Sequence, residues 1–220
     1  MTELLPLFLN LTGRTVVLVG GGPVATAKLR QLLAAGARVR VVSPEITDEI
    51  RDTVARPVQG PAPYPVLREK RAVAPADRGR AWLVGAAATP DVNRQVAAVA
   101  ETLRIFVNAV DVPDNATAFL SGVVRRDGVT LAISTGGVAP ALTALLREGL
   151  DALLPRDLAS WMWQARAARA AWRRDGVPME ARKPRLLQAL NAIYEKEGTT
   201  VAVPSYARVP WLSGPEDSWL

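Results

Sequence analysis

The first half of the chain alternates between short apolar runs rich in β-branched residues and longer stretches with helically spaced apolar positions. The short runs predict strands at residues 15–19, 38–43, 81–87 and 104–110. The longer stretches predict helices at residues 24–35, 47–54 and 89–102, the last beginning with Thr89 as a hydroxyl cap. Strands that alternate with helices are typical of a parallel sheet with right-handed crossovers. The pattern therefore predicts an α/β fold with a Rossmann-like parallel sheet.

The second half of the chain follows a different pattern. Two strand-like runs, at residues 119–124 and 129–134, lie on either side of the sequence Arg-Arg-Asp-Gly, which is a hairpin turn signal. They predict an antiparallel pair, and such a pair beside a parallel sheet indicates a separate module that pairs with another subunit. Helical spacing returns at residues 140–153, 157–174 and 183–196. The last twenty residues mix proline, tryptophan and small polar residues, so we expect irregular structure there.

The residue types that are missing restrict the chemistry. The chain contains no cysteine, which excludes disulfides and thiolate sites, and no histidine, which excludes imidazole bases and Ser-His-Asp triads. Proton transfer must therefore rely on Asp, Glu, Lys, Tyr or water. No spacing typical of a metal site is visible, so we predict no bound metal.

Charge and hydropathy limit the location and the partners. The N-terminus lacks a positive region followed by a long apolar stretch, and no segment reaches the ~20 apolar residues of a membrane span. We therefore expect a cytoplasmic protein without a membrane partner. The net charge of +6 comes mostly from arginine and favours an acidic partner or a polycarboxylate ligand. The alternative is that the arginine content only reflects a GC-rich genome.

The most informative motif is a run of three glycines between the first strand and the first helix. In this G-x-G-x-x-A pattern, Gly20 can make the tight turn, Gly22 lets the backbone approach a ligand, and Ala25 permits close helix–sheet packing. The N-terminus of the helix offers unpaired N–H groups to an anion. The motif predicts a bound dinucleotide, and the alternative is a glycine-rich turn without a ligand.

The end of the second strand is where this architecture binds the adenosine ribose. An acid about twenty residues past the glycines commonly contacts the ribose hydroxyls, and Ser43-Pro44-Glu45 stands near that position. Because no arginine follows immediately to hold a 2′-phosphate, the sequence favours NAD over NADP. The alternative is that Ser43 and Pro44 only end the strand while Glu45 lies in solvent.

Two polar residues are expected at the carboxyl end of the last parallel strand. Ligands of open α/β sheets bind beside such ends, and residues 106–113 place Asn108 and Asp111 there. With histidine and cysteine missing, Asp111 is the leading candidate for a general acid or base. The alternative is an aspartate that caps the turn before Pro113, since Asp-x-Pro is ordinary turn chemistry.

A second glycine-rich turn follows the strand predicted at residues 129–134. Ser134 and Thr135 supply hydroxyl groups, Gly136 and Gly137 allow close backbone approach, and the helix that follows attracts an anion. An ordinary strand-to-helix turn has the same composition.

Aromatic and cationic residues are interleaved on the helix predicted at residues 157–174. They are Trp161, Trp163, Arg166, Arg169, Trp172, Arg173 and Arg174. Such a cluster can stack on a flat ligand and pair with its carboxylates, or it can bind nucleic acid. A solvated amphipathic helix whose tryptophans pack on a core is the alternative.

Several motifs taken in order are more specific than any one of them. They are Pro6-Leu-Phe-Leu, Val19-Gly-Gly-Gly-Pro-Val-Ala with Lys28, Ala87-Ala-Thr-Pro-Asp-Val-Asn93, Val107-Asn-Ala-Val-Asp111, and Ile133-Ser-Thr-Gly-Gly with Pro140 and Leu145-Leu-Arg-Glu148. This ordered set resembles precorrin-2 dehydrogenase, the amino-terminal module of siroheme synthase. The resemblance covers residues 4–155, and the remaining helices fit the family's carboxyl-terminal region only loosely.

The resemblance implies an enzyme, namely an NAD-dependent oxidoreductase that converts precorrin-2 to sirohydrochlorin in siroheme or cobalamin biosynthesis. It also implies a tetrapyrrole polycarboxylate as substrate and a homodimer whose middle module is shared between subunits. Some members additionally insert ferrous iron or cobalt into the macrocycle, as sirohydrochlorin ferrochelatases do. In the family, the aspartate that matches Asp111 serves the dehydrogenation and, where present, the chelation.

The motifs and the resemblance together define the candidate site and the domains. The catalytic candidate is Asp111. The candidate cofactor contacts are Gly20, Gly22, Pro23, Val24, Ala25, Ser43, Pro44, Glu45, Thr89 and Asn108. The candidate substrate contacts are Ser134, Thr135, Gly136 and Gly137, whose turn borders the tetrapyrrole cleft in the family. The predicted domains are an NAD-binding Rossmann domain at residues 1–113, a dimerisation module at 114–150, and a helical region with an irregular tail at 151–220.

Two other functions fit parts of the sequence. An NAD-binding sensor domain that regulates a partner without turnover would share the first glycine loop, but it would not need Asn108 and Asp111 beside a second Gly-Gly turn. A nucleic-acid-binding protein would account for the basic helices but would leave the glycine loop unexplained. We therefore expect no nucleic-acid partner.

Overall fold

The computed structural model of the protein describes residues 3–55, 66–74, 81–109, 113–120 and 122–196. The chain divides into two compact units. The first consists of Met1–Ser121 with Ser134–Ala139, and the second of Gly122–Ile133 with Pro140–Leu220. The three domain ranges expected from the sequence stay a prediction. None of the helices in the described ranges is long and apolar enough to cross a membrane.

A parallel sheet forms the centre of the first unit. Its strands are β1 (Thr15–Val19), β2 (Arg38–Val42), β3 (Leu67–Glu69), β4 (Leu83–Ala86) and β5 (Phe106–Ala109). They lie in the order β3-β2-β1-β4-β5, and each neighbouring pair is parallel. The order reverses between β1 and β4, which is the switch point where open α/β sheets bind ligands. The predicted Rossmann-like α/β fold is thereby confirmed.

Three helices connect these strands. They are α1 (Pro23–Ala34), α2 (Asp48–Ala55) and α3 (Pro90–Thr102). Both α1 and α3 begin with proline, whose missing N–H would have no intrahelical acceptor at that position. The chain leaves α1 through Gly36, whose φ of 76° is the left-handed conformation that favours glycine.

The sheet has an apolar core on each face, because successive strand residues point to opposite sides. In β1, Leu18 packs in the cluster that contains Leu29 of α1. Val17 points to the other face and packs in the cluster that contains Val96 of α3. Strands buried on both faces are near-continuous apolar runs, which is why the sequence pattern predicts them well.

One strand of the sheet is absent from the sequence prediction. β3 is three residues long and pairs with β2 at the edge of the sheet, and Leu67 at its start is exposed. A three-residue strand without a buried apolar face is too short to show the alternation of apolar and polar residues that predicts a strand.

The second unit contains a hairpin and three helices. The hairpin strands are β6 (Gly122–Arg126) and β7 (Val129–Ile133), which pair antiparallel. The helices are α4 (Pro140–Leu153), α5 (Leu158–Arg174) and α6 (Met179–Lys196). The predicted antiparallel pair and the three predicted helices are therefore present. The irregular tail predicted for the last twenty residues lies outside the described residues.

Two boundaries in this unit differ from the prediction. The turn of the hairpin consists of Asp127 and Gly128 alone, both with positive φ (48° and 86°), as a two-residue type I′ turn requires. The first strand therefore runs about three residues later than predicted, and Arg125 and Arg126 belong to it. α6 begins four residues before the predicted start, and its Pro184 lies inside the helix.

We expect Leu18→Ala to lower the free energy of unfolding by about 3 kcal/mol, because it removes buried apolar atoms and leaves a cavity. Leu18 is 0% exposed in the central strand. The matched control is Leu67→Ala, since Leu67 is 58% exposed on the edge strand and its loss should change stability by less than about 1 kcal/mol. Urea unfolding measures both values, and equal losses would contradict this assignment of the core.

Candidate functional site

Three loops meet at the carboxyl ends of β1, β2 and β4. The loop after β1 contacts the end of β2, because Gly20 N–H donates to the carbonyl oxygen of Val42 at 3.0 Å. It also contacts the chain before α2, because Thr47 N–H donates to the carbonyl oxygen of Gly21 at 2.9 Å. The first glycine loop therefore lies at the switch point of the sheet.

The first two glycines of this loop are required by contacts within the protein. Gly20 has a φ of 107°, and a Cβ atom there would lie 2.1 Å from the carbonyl oxygen of Ala87. A Cβ atom at Gly21 would lie 2.0 Å from the carbonyl oxygen of Glu45. Any side chain at either position would push a neighbouring loop away.

The third glycine has a different environment. Gly22 is the N-cap residue of α1 with a φ of −81°, and apart from Gly22 itself and its two chain neighbours no described atom lies within 4 Å of the position that a Cβ atom would take. α1 has 12 residues and no acidic residue in its first turn. The N–H groups of Val24 and Ala25 have no intrahelical acceptor, and Pro23 has no N–H. Open space in front of unpaired N–H groups fits a phosphate group of a dinucleotide.

Two threonines that the sequence analysis did not select hold this loop in place. The hydroxyl of Thr26 donates to the carbonyl oxygen of Gly22 at 3.0 Å, and it lies 2.8 Å from the hydroxyl of Thr47. Because the single hydroxyl proton of Thr26 is used, Thr47 donates in the second bond. The signals in the sequence are a hydroxyl residue four positions after the last glycine and another before α2.

The end of β2 is shaped by Ser43. Its hydroxyl donates to the carbonyl oxygen of Glu45 at 2.6 Å, and this is the same carbonyl that leaves no space for a Cβ atom at Gly21. The carbonyl oxygen of Pro44 accepts a hydrogen bond from Arg68 at 3.1 Å. The side chain of Glu45 is exposed, on the loop where this architecture binds a ribose.

The loop between β4 and α3 is closed by Asn93, not by the predicted hydroxyl cap. Thr89 is the N-cap residue, as predicted, but its side chain makes no cap hydrogen bond. The buried amide of Asn93 instead accepts from the N–H of Ala88 at 3.0 Å and donates to the carbonyl oxygen of Ala88 at 3.3 Å. The side chain of Thr89 is left exposed.

The other candidate at the carboxyl edge, Asn108, is buried in β5. Its side-chain oxygen accepts a hydrogen bond from Lys28 of α1, and its side-chain nitrogen donates to the carbonyl oxygen of Ala118 at 2.9 Å. Lys28 belongs to the first glycine motif, but the sequence alone assigns it no role. Asp111, the catalytic candidate, lies outside the described residues and stays a prediction.

The second glycine-rich turn belongs to the first unit. The hydroxyls of Ser134 and Thr135 accept hydrogen bonds from backbone N–H groups two and four residues further on, at 3.1 and 3.2 Å. Gly136 and Gly137 have φ values of 64° and 83°, which only glycine adopts easily. The turn is thus fixed by its own hydroxyl groups, and its predicted role in substrate binding stays a prediction.

The aromatic and basic cluster lies on α5 in the second unit. Trp161 and Trp172 are half-buried, whereas Trp163 is 71% exposed. The guanidinium of Arg166 lies against the hairpin turn, 3.6 Å from the position that a Cβ atom would take at Gly128. The helix therefore packs partly on its own unit and presents Trp163 outward.

Comparison with known proteins shows the family of the chain. A family model of NAD(P)-binding domains matches residues 7–122. Siroheme synthase 2 of Aeromonas salmonicida is 42% identical over 157 residues, which are 71% of this chain and 31% of that protein. Siroheme synthase of Salmonella typhi is 35% identical over 184 residues, which are 81% of this chain and 38% of that protein. The chain spans about a third of the length of the curated relatives it matches.

A solved structure has the same fold. The chain of "SirC, precorrin-2 dehydrogenase" superposes with a TM-score of 0.62 at 23% sequence identity. The match covers 84% of this chain and 88% of that chain.

We expect Gly22→Ala to preserve the fold and to weaken NAD binding about tenfold or more, equivalent to about 1.4 kcal/mol. The added methyl group meets no protein atom but projects in front of the first turn of α1. Gly21→Ala is the matched variant, and it should lower the unfolding temperature because its Cβ atom would overlap the carbonyl oxygen of Glu45. Thermal unfolding and calorimetric titration with NAD measure both effects. Unchanged NAD affinity in Gly22→Ala would show that the dinucleotide binds elsewhere.

Proposed function

We propose a function from one premise: the chain belongs to the NAD(P)-binding family whose model matches residues 7–122, more than half of its length. It is an NAD-dependent dehydrogenase that oxidises precorrin-2 to sirohydrochlorin. The observation that carries the proposal is the environment of Gly22, because packing explains Gly20 and Gly21 but not this third glycine before α1. The names of the relatives, siroheme synthase and precorrin-2 dehydrogenase, supply the substrate.

The features at the end of β2 favour NAD over NADP. The exposed carboxylate of Glu45 can accept hydrogen bonds from ribose hydroxyls, and it would repel a 2′-phosphate. The nearby guanidinium of Arg68 is directed to the carbonyl oxygen of Pro44. We further propose a cytoplasmic location, with which the use of NAD as oxidant is consistent.

The oxidation requires that a hydride and a proton leave the reduced macrocycle. Bound NAD would supply the hydride acceptor. We assign the proton to Asp111, which follows β5 by two residues on a chain that has no histidine. The exposed Gly137 precedes α4 in the chain, and the N-terminus of a helix favours negative charge. We therefore assign contacts with substrate carboxylates to the turn at residues 134–137.

Purified protein mixed with precorrin-2 and NAD should produce NADH absorbance together with the spectrum of sirohydrochlorin. Binding of NAD without any turnover would favour the alternative of a regulatory sensor domain. Addition of Fe(II) or Co(II) to sirohydrochlorin in the same assay tests whether the chain also inserts a metal. The metal would be a substrate of that reaction, because it is inserted into the macrocycle.

We expect Asp111→Asn to lower kcat by a factor of about 100 to 10,000, because the amide cannot accept the proton. The dissociation constant for NAD should stay within about twofold, since the phosphate site at α1 is untouched. Asp114→Asn is the matched control, because Asp114 is an exposed aspartate three residues later. Turnover of Asp111→Asn at the wild-type rate would reject Asp111 as the base.

The second unit has the properties of a dimerisation module. Among its described residues, the buried apolar side chains are only Val124, Leu158 and Val177, which is a small core for a hairpin and three helices. A two-stranded sheet leaves one edge of each strand unpaired and is marginally stable by itself.

The leucines of α4 point to the same conclusion. α4 buries Thr143 and Gly149, while Leu142, Leu145 and Leu150 on the same helix are exposed. Apolar residues spaced three and eight positions apart form one stripe of a helix. We therefore infer that a second copy of the chain covers this stripe in a homodimer.

We expect Leu142→Glu to shift the protein from dimer to monomer, because it places a charge in the apolar stripe of α4. Leu187→Glu on α6 is the matched control, since Leu187 is also exposed. Sedimentation velocity at several protein concentrations measures the association. A wild-type chain that sediments as a monomer throughout would refute the proposed dimer.

A further inference from the structure

A lysine side chain bridges α1 and the edge strand β5. Lys28 lies in the second turn of α1, and its ammonium donates to the side-chain oxygen of Asn108. α1 packs on β1 and β2, and β4 lies between β1 and β5, so the lysine reaches past one whole strand. The residue of β4 in register with Asn108 is Gly85. No side chain of β4 therefore stands between the helix and Asn108 at this level.

The lysine determines which way the amide of Asn108 faces. An ammonium group only donates hydrogen bonds, so it must contact the amide oxygen. The amide nitrogen then faces the carbonyl oxygen of Ala118, to which it donates at 2.9 Å. Asn108 is only 5% exposed. If its amide were rotated by 180°, the NH₂ group would face the ammonium of Lys28, and two donors would be buried against each other without an acceptor.

The bond to Ala118 helps to close the stem of a loop. The carbonyl oxygen of Val107 accepts from the N–H groups of Thr117 and Ala118, both at 2.9 Å. The N–H of Val107 donates to the hydroxyl of Thr117 at 2.8 Å. Together with the Asn108 bond, four hydrogen bonds join β5 to residues 117–118. The chain between the two sides of this stem contains Asp111.

We propose that Lys28 is a positioning residue for the oxidation: by orienting the Asn108 amide, it ties the stem formed by β5 and residues 117–118 to α1. This inference rests on the proposed function. The first turn of α1 is the proposed phosphate site, and the stem carries the proposed proton acceptor. Lys28 thereby ties the stem of the loop that contains Asp111 to the helix of the proposed phosphate site, and it acts through Asn108.

We expect Lys28→Met to lower kcat about 10- to 100-fold while the KM for NAD stays within about twofold, because a small displacement of a reacting group costs rate more than binding. Lys28→Arg keeps a donor and should recover most of the loss. The matched control is Arg30→Met on the same helix. The exposed Arg30 pairs with Glu49 instead of Asn108, and the hydrogen bond and charge of Glu49 raise the pKa of Arg30. This control should leave kcat unchanged. If Lys28→Met does not fold, the neutral variant Lys28→Gln takes its place.

A double variant tests whether the lysine acts through Asn108. If it does, Lys28→Met combined with Asn108→Leu should be about as slow as the slower single variant. If the fold-losses in kcat of the two single variants multiply in the double variant, the two residues act independently, and the inference is overturned.

Hydrogen exchange separates this inference from the proposed function. We expect Lys28→Met to exchange the amides of Thr117 and Ala118 about tenfold faster than the wild type, whereas Arg30→Met should not. If the wild type does not oxidise precorrin-2, the proposed function fails and the exchange rates still test the bridge. A Lys28→Met variant with wild-type protection of these amides, whatever its kcat, would overturn the inference.

Discussion

Two backbone carbonyl groups lie so close to the loop between β1 and α1 that no side chain fits at its first two positions. The carbonyl oxygens of Ala87 and Glu45 lie about 2 Å from the Cβ positions of Gly20 and Gly21. The carbonyl oxygen of Glu45 accepts in turn from the hydroxyl of Ser43, and the N–H of Ala87 donates to the carbonyl oxygen of Val19 at 2.8 Å. The position of the first turn of α1 therefore depends on these two contacts. The proposed phosphate site at this turn would therefore be preorganised for its ligand.

The features around this loop lie at different strands on either side of the switch point. The exposed carboxylate of Glu45 stands at the end of β2, the unpaired N–H groups of α1 lie at the centre, and the bridge from Lys28 to Asn108 lies towards β5. An adenosine, a diphosphate and a nicotinamide would meet these features in that order. The second unit has few buried apolar side chains, and the exposed leucines of α4 carry the separate proposal of a homodimer.

Local patterns in the sequence predicted the features that depend on local structure. The central strands are continuous apolar runs, and the glycine motif is contiguous, so both could be located before the fold was known. β3 could not, because its three residues have no apolar period and Leu67 is exposed. The role of Lys28 could not either, since its partner Asn108 is 80 residues away and only the order of the strands brings them together. Tertiary contacts of this kind have no signal in a single sequence.

We propose above all that the third glycine exposes the N-terminus of α1 to the diphosphate of NAD. A crystal structure of the protein with bound NAD tests it most directly. The account predicts diphosphate oxygens within hydrogen-bond distance of the N–H groups of Val24 and Ala25, with Gly22 in van der Waals contact. A diphosphate bound elsewhere, with these two N–H groups facing only water, would contradict it.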